Sequence, residues 1–390
     1  MSYIDGIYYD FSQFNHPGGN DILDMFLETP NTDLTMVFVS NHSRVFPHNK
    51  YKHLQLNIGN KKNENIKTIN NSLWKYQDYL EVIHLVKHSK ITSSPSFFYW
   101  IKCYSLIVSN FYLNWQLYYH WRFYHAMTLG FINALIGLNI QHDANHGSLF
   151  YNKTLNRIFG LSQNLIGGSR NLWINQHMVQ HHVYTNILGK DPDTDGQGLI
   201  RLNKYSSRYQ FHMLQFLYTL LGLPFFSYHI IIIDTYECLI RGYNFDLMSK
   251  LLFIYFNIIY PYDGTLLRVI ETQIPIMFTG AYLSFFFLLS HNFVGVKNDT
   301  NYSVSSSTFM KRQIESSCNF ESPIFTYMNG GLNYQIEHHL FPRYHHSKYK
   351  DISALVKNMA KKYEYTYTNF HSLYQNLKST VNHLFILGRN

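Results

Sequence analysis

The chain has 390 residues, with aromatics at 17%, charged residues at only 14% and a net charge of +8. Soluble domains carry about 25% charged residues, so a wholly soluble body is disfavoured, and a mean hydropathy of −0.20 means that the apolar residues are gathered locally. The positive charge is spread along the chain, which suits anionic lipid and gives no reason to expect nucleic acid; Cys103, Cys238 and Cys318, far apart and without a CxxC, exclude a disulfide framework and a zinc ribbon.

Residues 1–60 are mixed and polar. Ile7-Tyr8-Tyr9-Asp10-Phe11 predicts a short strand followed by a turn, and Asn15-His16-Pro17-Gly18-Gly19 has the composition of a tight turn. No basic region and apolar core open the chain, so no cleavable signal is expected and membrane insertion would rest on an internal span. Residues 61–96 read as an Asn/Lys-rich linker leading into an amphipathic stretch at 72–92. From Phe97 the character changes. Phe97 to Tyr119, interrupted only by Lys102, and Phe123 to Ile140 each approach the ~20 residues that cross a bilayer as a helix. The short turn His120-Trp121-Arg122 makes them an antiparallel hairpin. Residues 142–210 are mostly polar. Residues 211–233 are apolar but hold Pro224 and His229, which predicts an interfacial or re-entrant segment. Leu247 to Tyr262 and Ile274 to Phe293, with a turn at Tyr262-Asp263-Gly264, read as a second hairpin; the remainder is polar. Basic residues collect at 142–210 and in the tail, so both segments and the N-terminal region are expected on the cytosolic side.

Three histidine clusters stand beside these apolar runs: His142-Asp143-Ala144-Asn145-His146, His177-Met178-Val179-Gln180-His181-His182 and Gln335-Ile336-Glu337-His338-His339, with His291 alone at the end of the last run. On a helix, i and i+4 share a face with Cβ atoms ~5–6 Å apart, so His142 with His146, and His177 with His181, can converge on one metal region. One such pair is ordinary decoration. Three, each at the same end of an apolar hairpin, are not. Seven or eight imidazoles exceed the four ligands of a mononuclear zinc site and suffice for two metals. His291, at membrane depth, is a functional candidate by position.

His-Asp-x-x-His, His-x-x-x-His-His and Gln-x-x-His-His, in this order and with these flanking spans, resemble the three boxes of membrane fatty-acid desaturases over about 97–350. The resemblance extends to Tyr184-Thr185-Asn186 and to Gln335-Ile336-Glu337-His338-His339-Leu340-Phe341-Pro342, and the leading Gln of the third box resembles the front-end subgroup. It implies a mainly α, four-helix, two-hairpin membrane body at 97–390 with a cytosolic helical cap. It also implies a di-iron centre held by His142, His146, His177, His181, His182, His338, His339 and His291, with Gln335 a weak ligand or an outer partner. The implied reaction is O2-dependent removal of two hydrogens from a methylene pair of a polyunsaturated acyl chain, leaving a cis double bond. A narrow acyl channel would set its position. The four-residue step from His177 to His181 resembles microbial Δ5 or Δ4 enzymes more than Δ6 enzymes; a Δ5 bond in a C20 chain is expected, with Δ4, Δ6, a sphingolipid Δ8 enzyme or a di-iron lipid hydroxylase as alternatives.

His16 and His42, with Tyr8-Tyr9-Asp10-Phe11 before and Leu54-Gln55-Leu56-Asn57-Ile58-Gly59 after, resemble the heme-ligating pair of cytochrome b5. The resemblance implies an α+β domain at 1–60 binding heme b, expected to be N-terminally truncated. It implies NADH-cytochrome b5 reductase as electron partner, acyl-CoA or phospholipid as acyl carrier, and an endoplasmic reticulum membrane. Asp191-Pro192-Asp193-Thr194-Asp195-Gly196 opens like a calcium loop, but position twelve is Leu202 where calcium needs a bidentate Glu, so it reads as an acidic loop. The Asn-x-Ser/Thr triplets at Asn41, Asn152, Asn298 and Asn301 are expected to stay unglycosylated on the cytosolic side.

Overall fold

The computed structural model describes residues 2–4 and 7–16, then Leu23, Asp24, Leu27, Leu34, Thr35, Phe38, Asn41 and His42, and then 76–261, 263–300 and 308–390. Strands β1 (Ser2–Ile4) and β2 (Ile7–Tyr9) pair antiparallel, Ser2 opposite Tyr9. The motif positions Pro17-Gly18-Gly19, the segment Leu54–Gly59 and the Asn/Lys-rich linker lie outside the described residues.

The body is mainly helical. Helix α1 (Gln77–His88) buries Tyr79, Val82, Ile83 and Val86 along one face, the 3.6-residue period expected of an amphipathic helix on a core. That face meets Phe309, Ile336, Phe341, Ile352 and Val356 in the main apolar cluster. Helix α2 (Phe97–Tyr119) and helix α3 (Phe123–Ile136) form the first hairpin, and α3 runs on through a π-helical turn, Gly137–Gln141, into His142–Asn145. Asn110 of α2 donates to Asn133 of α3 at 2.6 Å, a polar tie between neighbouring helices inside the apolar layer.

Among the described residues three helices are long and apolar enough to cross a membrane, 123–145, 210–241 and 266–291; the runs 97–119 and 247–262, expected as spans, are not among them. The second contains the 211–233 run expected as an interfacial or re-entrant segment. Pro224 stands in a tight turn, Leu223–Phe225, between the helix Gln215–Gly222 and helix α4 (Phe226–Arg241), at a helix start where its missing N–H costs little. Its side chains Leu221, Ile232, Leu239 and Ile240 are exposed, as a lipid-facing surface requires. Helix α5 (Asn244–Ile254) continues through a π-helical turn to Ile259. Helix α6 (Leu266–His291) then lies against α3 and the 210–241 helix. Ser284 donates to Leu223 O at 3.1 Å, and Thr279 donates to Gly130 O at 3.0 Å. The 247–262 run is therefore not the principal packing partner of α6.

The polar remainder caps one end. Helix α7 (Phe309–Glu315), strand β3 (Cys318–Phe320), helix α8 (Gln335–Leu340), helix α9 (Tyr349–Lys362), strand β4 (Thr368–Phe370) and helix α10 (Leu373–Arg389) follow in order. β3 and β4 pair in parallel, Cys318 opposite Thr368.

Candidate metal centre

Four pieces of chain bring the histidines together. The first pair follows the π-helical turn at the end of α3; its rings lie 4.8 Å apart, as the i,i+4 spacing predicts. The second cluster sits on a longer π-helical stretch, Ile174–His181. There the expectation needs correction. The wider turn pairs i with i+5, so His177 shares its face with His182, their Nε2 atoms 3.1 Å apart. His181 turns instead toward His291 and His339, its ring 4.7 and 4.9 Å from theirs. The third cluster lies on α8, where His338 and His339 diverge by one helical step and face different partners. Gln335, one turn before His339, reaches it at 3.2 Å.

The result is two adjoining nests: His142, His146, His177 and His338 form the first, His181, His291 and His339 the second, each with ligand atoms within 4.8 Å of one another. His182 lies between, Nε2 2.9 Å from His338 Nε2 and its ring stacked 4.4 Å on His339. The Gln335 amide reaches His291 Nε2 at 3.0 Å. The sequence-predicted residues His142, His146, His177, His181, His182, His291, His338, His339 and Gln335 are thus all brought into one basket.

Fixed acceptors hold several rings from behind. His291 Nδ1 donates to Ser316 O at 2.9 Å. Gln313 Nε2 donates to His182 O at 2.9 Å, which leaves its Oε1 to accept from His339 Nδ1 at 2.9 Å. His338 Nδ1 meets the Tyr349 hydroxyl at 3.2 Å. His181 Nδ1 donates to Asp191 Oδ1 at 3.0 Å and faces Asp193 Oδ2 at 3.2 Å. Burial lowers the proton affinity of this imidazole, but the two carboxylates outweigh burial and raise it to about 9. With Nδ1 donating outward, the Nε2 atoms of His291 and His339 present their lone pairs inward. Lone pairs about 3 Å apart in a buried site repel unless a cation or a shared proton lies between them. His142 and His146 have both ring nitrogens buried with no hydrogen-bond partner, and His182 Nδ1 and Gln335 Oε1 are equally bare. Unpaired buried polar atoms cost 1–3 kcal/mol each, about what makes such a cluster untenable without a bound group. The donor set fits a pair of nitrogen-liking metal ions.

The surrounding chain fixes this basket through close backbone approaches. Gly330 and Gly331, both left-handed at φ 59 and 70, let the segment before α8 lie against the helix of the first cluster. A Cβ on Gly330 would strike Leu138 O, and Asn139 Nδ2 donates to Met328 O at 2.6 Å. Asp246 of α5 accepts from Arg170 N at 3.1 Å and Asn171 Nδ2 at 2.9 Å, fixing the start of the π-helical stretch. The Asn186 amide bridges to His291 O at 3.3 Å. In the third cluster, burial pushes the Glu337 carboxyl up to about 8, against hydrogen bonds from Asn319 and Tyr367. Sequence reasoning missed Gln313, Tyr349 and Glu337 as partners, and dismissed Asp191 and Asp193 as loop residues.

Far from the basket in sequence, His16 and His42 lie with ring centroids 6.1 Å apart and planes at 89°. His42 Nδ1 donates to Phe38 O at 2.7 Å. Arg343, just past the third cluster, reaches Asn41 O at 3.5 Å. A mostly apolar cleft between α4, α5 and α6 is lined by Ile166, Ile230, Ile231, Phe253, Ile276 and Leu283.

The mainly helical body, with helices long and apolar enough to cross a bilayer, carries at one end a histidine basket that could hold metal ions. Residues 119–371 match the fatty acid desaturase family, and the chain belongs to it. It is 34% identical over 407 residues to an acyl-lipid (7-3)-desaturase of Rebecca salina, covering 98% of this chain and 89% of that protein. It is 32% identical over 408 residues to a protein of the same name from Diacronema lutheri, covering 100% and 90%. It is 30% identical over 437 residues to a probable Delta(5) fatty acid desaturase C of Dictyostelium discoideum, covering 99% and 91%.

Proposed function

We propose that this desaturase is a front-end enzyme that inserts a cis double bond into a polyunsaturated acyl chain, with two iron ions in the histidine basket and electrons delivered from heme. The observation that carries the reading is the pair of adjoining nests with their lone pairs turned inward. His142, His146, His177, His338 and His182 would hold one iron, and His181, His291 and His339, with Gln335 beside them, the other. Iron bound there supplies the O2 chemistry that breaks unactivated C–H bonds. O2 takes up four electrons in becoming two waters: two come from the saturated carbon pair and two from the donor. The protein's part is to fix the imidazoles through Gln313, Tyr349, Ser316 and Asp191, to exclude water by burial, and to hold one carbon pair at the basket.

The 6.1 Å between the His16 and His42 rings supports heme: two imidazoles on one iron, each nitrogen about 2 Å from it, would stand at that separation. Residues 1–60 form this heme-binding part, with NADH-cytochrome b5 reductase upstream, acyl-CoA or phospholipid as the acyl carrier, and the basket on the cytosolic face of the endoplasmic reticulum. On the bond position there are two readings. The second histidine box favours Δ5 in a C20 chain; the end-to-end match to two (7-3)-desaturases favours their regiochemistry.

The test is the fatty-acid profile of yeast expressing the chain and fed C18, C20 and C22 polyunsaturated acids, beside a His338→Ala/His339→Ala control. A new double bond lost in the control is expected, and its position by mass spectrometry separates the two readings. A hydroxylated product, or none from protein present in the membrane even with added cytochrome b5, would defeat the proposal.

A further inference from the structure

We infer that Asp191 and Asp193 are positioning residues that make the two iron positions inequivalent, backing His181 so that the nest of His181, His291 and His339 holds its iron more tightly and releases it more slowly than the nest of His142, His146, His177 and His338. This rests on the two-iron reading above.

Asp191 is held rigidly. It caps the turn Pro192–Thr194, its Oδ1 accepting from Asp193 N at 3.0 Å, and its Oδ2 accepts from Asn186 N at 2.7 Å. The same Oδ1 takes the His181 proton, and the half-exposed Asp193 adds a second carboxylate oxygen at 3.2 Å. The other rings with fixed Nδ1 partners meet neutral groups: a carbonyl for His291, an amide oxygen for His339, a hydroxyl for His338. The first nest has a carboxylate nearby, but Asp143 Oδ1 is 4.0 Å from His142 Nδ1, beyond hydrogen-bond reach. Its Oδ2 is taken by His346 Nδ1 at 2.5 Å and faces His345 Nε2 at 3.6 Å. Among the described residues, His181 is thus the one basket imidazole hydrogen-bonded to a carboxylate. A carboxylate behind a ligating imidazole raises its basicity and fixes its orientation, worth roughly 10–100-fold in metal affinity. His181, Asp191 and Asp193 could instead grip a cation of their own, but His181 would then lose its proton, and Asp191 already serves two backbone N–H groups.

The experiment uses the full-length, iron-loaded protein in detergent. Iron per chain and the release of iron to excess ferrous chelator are followed for wild type, Asp191→Asn, Asp193→Asn and His142→Ala, with Mössbauer spectra of the loaded proteins. Two irons per wild-type chain, leaving in a fast and a slow phase, are expected. Asp191→Asn, which keeps one of the two side-chain oxygens that accept from the Asn186 and Asp193 N–H groups, should speed the slow phase about 10–100-fold and alter one of two iron signals. His142→Ala should remove the fast phase. If Asp191→Asn yields no folded protein, Asp193→Asn carries the test and should speed the slow phase by a smaller factor. Two phases that accelerate equally, no change in either variant, or a third metal equivalent would overturn the inference. Wild type that holds no iron pair would overturn the underlying reading along with it.

Discussion

At the scale of single residues, the gathering of eight imidazoles was legible because it is local: their type and spacing already point to one another. What stands behind them was not legible. Gln313 lies 26 residues before His339 and belongs to no spacing pattern; Asp191 lies ten residues past His181 and has the look of a failed calcium loop. Only the folded chain brings them to Nδ1. Gln313→Leu removes the acceptor that fixes His339 and the donor to His182 O, and should weaken iron retention about 10–100-fold with the helical content unchanged, as iron analysis and circular dichroism would show. A histidine outside the basket makes a contrasting case. Burial alone lowers His383 to about 4, and its Nε2 has no hydrogen-bond partner. Between pH 6.5 and 4 the unfolded chain takes up a proton that the folded chain refuses, so stability falls as pH falls through that window. His383→Leu should remove on the order of 2 kcal/mol of that acid loss by pH 4, read as a flatter dependence of melting temperature on pH than wild type shows.

At the scale of elements, α3 and α6 follow from apolar runs of bilayer length, and α1 from its amphipathic period. The 211–233 run forms helix on both sides of a tight turn at Pro224, although Pro224 and His229 look like breakers. Pro224 instead falls at a helix start, where proline is harmless, and His229 is tolerated in a segment that still averages strongly apolar. The π-helical turns were invisible, since nothing in an i,i+4 pattern announces an i,i+5 register; yet one of them decides which nest His181 joins. Close packing of α3 on α6 was equally hidden, although its signature is a glycine. A Cβ on Gly130 would lie 2.6 Å from Pro275 O and 2.9 Å from Phe278 Cβ, whereas one on Gly222 meets nothing within 4 Å. Small residues are what let membrane helices approach closely. Gly130→Val should therefore cost roughly 1–3 kcal/mol or more by overpacking and lower the melting temperature in detergent. Gly222→Ala, in an open helical position, should be neutral or stabilising by up to about 1 kcal/mol.

At the scale of the whole molecule, the basket is where distant parts of the chain must agree. Its ligands come from the end of α3, the π-helical stretch, the end of α6 and α8, and they span His142 to His339. Gly330 against Leu138 and Asp246 against Arg170 carry the same agreement into the backbone. In the absence of metal the agreement is costly, because the rings of His142 and His146 have no partners and the Nε2 atoms of His291 and His339 are crowded 3.2 Å apart around the Gln335 amide. Metal that binds this arrangement and not the unfolded chain stabilises the whole fold by mass action, about 2.7 kcal/mol per site at 100 times the dissociation constant. Reconstitution with ferrous iron should therefore raise the melting temperature of the entire body, and stripping by a chelator should lower it again. His338→Ala/His339→Ala removes one ligand from each nest, so this variant should show little or no rise. A wild-type melting temperature indifferent to iron would mean that the basket tolerates its lone pairs without metal, which the burial of these rings argues against.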